Sequence, residues 1–155
     1  MKRLHNVNNM TEKEWLEHRL KGIGGSDVAT ILGLNPYKSP MRLYMEKIQE
    51  IEPEPVDNEY VELGKELEPV LRKLFTKRTG LKAVKNNYIL QHDNYDFMLA
   101  NLDGEVLHPE KGRGVLEIKT TSEWNRDQWQ GETVPMPYLL QVQHYLAITG
   151  YSYGY

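Results

Sequence analysis

Two short stretches decide the fold: FMLANLD (97–103) and GVLEIKT (114–120). Both read as strands, with turn material (Pro109-Glu110-Lys111-Gly112) between them, so they form the arms of a hairpin. Strand alternation places Glu117 and Lys119 on one face and directs Ile118 to the core. Asp103 closes the first arm just before Gly104, where the backbone turns away and exposes the carboxylate. Two carboxylates meeting at one point suit a hard cation, and an ammonium beside them can position or deprotonate a water. That is the equipment of metal-assisted phosphodiester hydrolysis. On spacing alone, the same charges also suit an ordinary solvent-facing hairpin, because charged alternation is common on half-exposed strands.

Outward from the hairpin, Lys82–Leu90 reads as a third strand. Before it comes an amphipathic helix from about Tyr60 to Thr79, its apolar face made by Leu63, Leu67, Val70, Leu71, Leu74 and Phe75. Pro69 is expected to kink or restart this helix, and Gly80 to end it. Downstream, a helix runs from about Tyr138 to Thr149 and stops at Gly150. Tyr151 to Tyr155 read as the opening of a final strand, and the chain ends there, as a minimal or shortened form would.

Upstream, the pattern Thr11…Glu14 is a capping box opening a helix with Trp15 and Leu16. The run GIGG (22–25) reads as a flexible turn. Ser26-Asp27 starts a second short helix that Gly33 ends, and Ser39-Pro40 starts a third that reaches Ile48. The segment IEPEPVDN (51–58) reads as an acidic, proline-rich mobile loop. Short helices, a long helix, three strands, a helix and a strand predict an α/β fold with a central mixed β-sheet flanked by helices.

Composition fits one domain over residues 1–155. The chain has 155 residues, 39% hydrophobic and 26% charged. No apolar run approaches the roughly 20 residues of a membrane span, and the N-terminus lacks a signal-like apolar stretch, so a cytoplasmic location is expected. With no cysteine, disulfides, thiolate zinc sites and iron–sulfur clusters are excluded. A metal must then be held by carboxylates, carbonyls or histidine, and oxygen ligands favour magnesium, manganese or calcium. A net charge of −3 does not advertise a nucleic-acid binder, although acidic metal sites can mask a local basic groove.

Two further groups bear on the hairpin. The helix before the sheet carries Glu68, which can add a ligand, and the helix after it carries Gln141, which can orient a nucleophile or a phosphate. The blocks GIGGSD (22–27), Gly64…Leu67-Glu68-Pro69, Leu102-Asp103-Gly104, Leu116-Glu117-Ile118-Lys119-Thr120 and QVQHY (141–145) together resemble the YqaJ viral recombinase family. That family is the lambda-exonuclease-like branch of the PD-(D/E)xK nucleases. The likeness runs from about Trp15 to Tyr151, in the family's order and approximate spacing. Leu102 stands where the superfamily's motif has proline, which is not a ligand.

The resemblance implies a restriction-endonuclease-like core and a magnesium-dependent deoxyribonuclease, a 5′→3′ exonuclease on linear double-stranded DNA in phage-type recombination. Asp103, Glu117, the Ile118 carbonyl and Glu68 are implied as ligands of two Mg²⁺ ions, with Mn²⁺ as substitute. Lys119 is implied as the catalytic lysine and Gln141 as a neighbour of the reacting phosphate. Arg19 and Ser26 match the family's 5′-phosphate pocket. That agrees with a serine at a helix N-terminus, where amides attract anions, and with an arginine able to grip phosphate bidentately. Asn101 and Tyr138 are further candidates for touching DNA. The resemblance also implies a homo-oligomer, commonly a trimeric ring, and collaboration with a single-strand annealing protein. An endonuclease or nickase of the same fold, or a catalytically silent DNA-binding relative, are the alternatives. The five histidines show no ligand spacing. Trp124 and Trp129, flanking Arg126, can stack on bases or cover the core, and core packing is the expectation.

Overall fold

In the computed structural model, which describes residues 1–53, 59–131 and 133–155, the chain begins with β1 (Lys2–Asn6) and the helices α1 (Glu12–Leu20), α2 (Gly25–Ile31) and α3 (Pro40–Lys47). It continues through α4 (Glu59–Thr79), β2 (Lys82–Val84), β3 (Tyr88–Gln91), β4 (Leu99–Ala100), β5 (Gly104–His108) and β6 (Gly112–Leu116). A 3₁₀ helix (Glu123–Trp129) and α5 (Met136–Thr149) complete it. The expected mobile loop falls at 54–58 outside the described residues. The elements form two compact units.

The first unit comprises Met1–Pro53, Asn87–Asn101 and Val134–Gly150. Its antiparallel sheet has the order β1-β3-β4. Ile89, Leu90 and Ala100 are fully buried there, with Ala29 of α2, Leu43 of α3 and Tyr145 and Ile148 of α5 completing the core. The first and third helices form where their caps predict, whereas α2 begins at Gly25 after a Gly24 N-cap, so that Ser26 lies within its first turn and does not cap it. Thr11 accepts from the Glu14 N–H, and the Glu14 carboxylate accepts from the Thr11 N–H, closing the capping box. Ser39 accepts from the Arg42 N–H, with Pro40 at the first helical position.

The run 22–25 is a packing device rather than a flexible turn. Gly22 and Gly25 are both buried. A Cβ on Gly22 would lie 2.5 Å from the Phe97 carbonyl, and one on Gly25 2.5 Å from the Tyr145 ring. Glycine is what lets α2 approach α5 this closely. The strand β1 was not foreseen, because its five residues are all exposed and carry no apolar alternation.

The second unit comprises Glu54–Asn86, Leu102–Thr133 and Tyr151–Tyr155. Its strands run β2-β5-β6, all antiparallel. The terminal residues then add on in parallel: the Val115 N–H donates to Tyr153 O (3.1 Å) and the Tyr155 N–H to Val115 O (2.9 Å). The sheet is therefore mixed, and the expected final strand begins as read. The hairpin exists, but its first arm is Gly104–His108 and not 97–103. Gly104, Glu105 and Val106 are all buried, and a strand covered on both faces does not alternate. The buried Glu105 carboxylate, held by Asn86, Arg113 and Tyr151, disguises an apolar run. β2 ends at Val84 and β3 begins at Tyr88, so the expected strand 82–90 divides between the two sheets.

The helix α4 continues through Pro69 unbroken. Leu63 and Val70, expected on its apolar face, are 52% and 57% exposed, while Leu67, Leu71, Leu74 and Phe75 are partly covered. Core packing is also wrong for Trp124, which is 94% exposed. No helix among the described residues is long and apolar enough to cross a membrane.

Candidate active site

The second unit gathers Glu68, Asp103, Glu117 and Lys119. Asp103 immediately precedes β5, and Glu117-Ile118-Lys119 immediately follow β6. The Glu117 N–H still donates to Tyr155 O (3.0 Å), so this segment stays extended although it lies past the strand's end. The hairpin register pairs Gly104 with Leu116, which sets Asp103 beside Glu117. The Ile118 N–H donates to Asp103 Oδ2 at 2.7 Å, and that bond fixes the carboxylate's direction.

Glu68, Asp103, Ile118 and Lys119 line one cleft of about 330 Å³, with Tyr60 and Gly64 on its α4 side. The Glu117 side chain is 4% exposed and its Oε1 lies 2.5 Å from Lys119 Nζ. Burial, then the charge of Asp103, raise the Glu117 carboxyl to about 7; Lys119 opposes the rise and Glu68 adds to it. Asp103 is also raised, first by burial, against the Ile118 N–H and Lys119. Burial and then Asp103 raise Glu68. Three carboxylates thus share a partly dry site in which each resists ionisation.

Sequence reasoning missed Arg72. Its guanidinium donates to the Asp103 carbonyl (3.0 Å) and pairs with the Glu68 carboxylate one turn back on α4. The i, i+4 spacing of Glu68 and Arg72 was a readable signal, but it marks most surface ion pairs equally well. As the side chains stand, no three acidic or histidine groups among the described residues converge closely enough to hold a metal. The chemistry of the donor set nonetheless fits one: carboxylates whose pKa values are raised first by burial, and at Glu68 and Glu117 also by Asp103, are what a divalent cation relieves.

In the first unit, the structure brings Arg19 and Ser26 together, with Arg19 Nη2 donating to Ser26 Oγ at 2.8 Å. Arg19 stacks over the Trp15 ring, 4.8 Å from its centroid. Sequence reasoning missed the scaffold beneath. Lys47 Nζ donates to the carbonyls of Arg19 (2.9 Å) and Gly22 (2.7 Å) and pairs with Asp27 (2.8 Å). The Asp27 carboxylate in turn accepts from the Gly24 N–H. Gln141 is buried on α5, donating to the Tyr145 hydroxyl (2.9 Å). Tyr138 lies in the first turn of α5, and Asn101 directly follows β4. His144 is a core residue whose Nε2 meets Leu99 O at 3.0 Å, and burial lowers its pKa.

This fold is that of the alkaline exonucleases. An alkaline exonuclease from Laribacter hongkongensis matches 92% of this chain and 73% of its own, with a TM-score of 0.72 and 25% identity. The structure of that enzyme with dAMP shares the fold over the same fractions, with a TM-score of 0.74 and 24% identity. The family model described as the YqaJ-like viral recombinase domain matches residues 14–152, and the chain belongs to that family. The uncharacterized protein YqaJ of Bacillus subtilis (strain 168) is 40% identical over 144 residues, 93% of this chain and 44% of its own length. An uncharacterized protein of Acanthamoeba polyphaga mimivirus is 27% identical over 147 residues, 88% of this chain and 26% of its own. The chain therefore spans less than half the length of these curated relatives.

Proposed function

We propose that this chain is a metal-dependent deoxyribonuclease that degrades linear double-stranded DNA in the 5′→3′ direction during phage-type homologous recombination. The observation that carries the reading is the meeting of Glu68, Asp103 and Lys119 in one cleft, with Glu117 bonded to Lys119. Glu68, Asp103, Glu117 and the Ile118 carbonyl would hold two Mg²⁺ ions, or Mn²⁺ in their place. Bound metal supplies Lewis acidity at the phosphoryl group and offsets the charge that develops there.

The chain's own residues do the rest. Lys119 Nζ, paired with Glu117 Oε1, would relay to solvent the proton that the attacking water gives up. Arg72 holds Glu68 and the Asp103 backbone in place. Water oxygen bonds to phosphorus, the P–O3′ bond breaks, and the departing 3′-oxygen takes a proton. The shortened strand is left with a new 5′-phosphate, the group that Arg19 and Ser26 would bind. For Gln141, beside the reacting phosphate, and for Asn101 and Tyr138, on DNA, the reading rests on the family resemblance.

Residues 1–155 would then act as one nuclease domain in the cytoplasm of a bacterial host. A homo-oligomer, a trimeric ring, and a single-strand annealing protein as partner belong to the same proposal. The test is digestion of linear 5′-phosphorylated duplex and of covalently closed circles, with and without Mg²⁺. Loss of the linear substrate alone, only with metal and not with Asp103→Ala, is expected. Cleavage of circles would make the protein an endonuclease or nickase, and activity surviving in Asp103→Ala would place the chemistry elsewhere.

A further inference from the structure

A second cleft, of about 370 Å³, opens in the same unit between α4 and β2. Its walls include Arg72, Lys73 and Thr76 of α4, and Lys85 just past β2. We propose that this cleft binds a second backbone phosphate of the nucleic-acid strand being cut, some nucleotides away from the scissile bond. The proposal rests on the nuclease reading above.

Charge comes first. The chain carries a net charge of −3, so affinity for a polyanion must come from a local concentration of cations. Arg72 is committed to the acidic side, bonded to Glu68 and to the Asp103 carbonyl. Lys73 and Lys85 are exposed, and among the described residues neither has a carboxylate within ion-pair distance. The Thr76 hydroxyl accepts from the Ala83 N–H at 3.1 Å, which leaves its own hydrogen to donate to an anion. Two ammonium groups and a hydroxyl around an open cleft are complementary to a phosphodiester.

Position comes second. The acidic cleft meets α4 at Gly64 and Glu68, and the basic cleft meets it at Lys73 and Thr76, in successive turns of one helix. From Glu68 to those residues is roughly 8–12 Å along the axis, equivalent to the rise of about two to four nucleotides. A strand lying along α4 therefore meets acids where it is cut and cations where it is held. A free inorganic phosphate or mononucleotide has the same chemistry and is the rival occupant.

The test compares the full chain with its Lys73→Gln/Lys85→Gln variant on linear duplex, with Lys111→Gln at the hairpin tip as a charge control. Binding is measured by anisotropy in EDTA across salt concentrations. The slope of log K against log[salt] is expected to shrink by about 1 to 2 in the double variant and to hold in the control, with Tm unchanged in both. Neutral methylphosphonates placed one at a time near the cleavage point should weaken the wild type at one or two positions and leave the double variant indifferent there. Equal slopes, or equal methylphosphonate losses in both proteins, would overturn the proposal. So would loss of inorganic phosphate binding without any methylphosphonate effect, which assigns the cleft to a free anion. A wild type that neither binds nor cuts DNA would instead refute the nuclease reading itself.

Discussion

Lys119 Nζ stands 2.5 Å from Glu117 Oε1, two residues apart on one face of an extended segment, the amine 28% exposed and the carboxylate 4%. The ammonium faces the cleft that Asp103 and Glu68 also line, so its absence removes a proton carrier while leaving the oxygen donors in place. Lys119→Ala is expected to lower single-turnover cleavage by about 10²-fold or more with little change in the Mg²⁺ concentration needed for half-saturation. Unchanged turnover would exclude Lys119 from the chemistry.

The raised Glu117 carboxyl makes the metal-free protein pH-sensitive, and the sign follows from linkage. Its pKa lies near 7 folded against an ordinary 4.5, so the folded state holds the proton more tightly than the unfolded state. The stability associated with that proton is fully present below pH 4.5 and is lost as pH rises through 7, by up to about 3 kcal/mol. Asp103 and Glu68 are raised as well and push in the same direction. Denaturant melts in EDTA should therefore show lower stability at pH 8 than at pH 5, and Glu117→Gln should flatten the difference. Millimolar Mg²⁺ at pH 8 should recover stability in the wild type more than in the variant. An identical slope in Glu117→Gln would remove the carboxyl from this account.

Arg19 and Ser26 are joined by a 2.8 Å hydrogen bond, and Lys47 holds the backbone on which Arg19 sits. Loss of a charge-assisted bond to phosphate costs about 1.5–3 kcal/mol, so Arg19→Ala should reduce the preference for 5′-phosphate over 5′-hydroxyl ends roughly 10- to 100-fold. Parallel digestion of the two substrates checks it. A preference that survives unaltered would show that the end is recognised elsewhere.

Asp103, Glu117 and Lys119 were legible because they flank one hairpin, whose register pairs Gly104 with Leu116. Alternation misplaced Ile118, which lines the cleft with Lys119 and is not directed to the core. The capped helices α1 and α3 were legible from equally local signals. What escaped was non-local or disguised. Glu105 looks like a surface residue, yet it is buried because Asn86, Arg113 and Tyr151 satisfy it across the sheet. Lys47 lies more than twenty residues from the carbonyls it caps, and no periodicity announces such a bond. Trp124 was misread because aromatic residues usually mark burial, whereas its 3₁₀ helix buries nothing.

Gly25 offers a test of the packing that sets the first unit. The glycines at 22–25 suggested flexibility, but a methyl at 25 would sit 2.5 and 2.8 Å from the Tyr145 ring and 2.9 Å from Gln141 Cγ. Both partners are buried and bonded to each other, so neither can yield without disturbing α5. Gly25→Ala gains the lower chain entropy and better helix propensity of alanine, worth about 1 kcal/mol, and meets an overpacking cost of about 1–3 kcal/mol. A net loss of stability is expected, read as a fall in the denaturation midpoint with the m-value unchanged. A more stable Gly25→Ala would mean that α2 and α5 have room to separate, and that the close approach at this glycine is not what holds Gln141 where it lies.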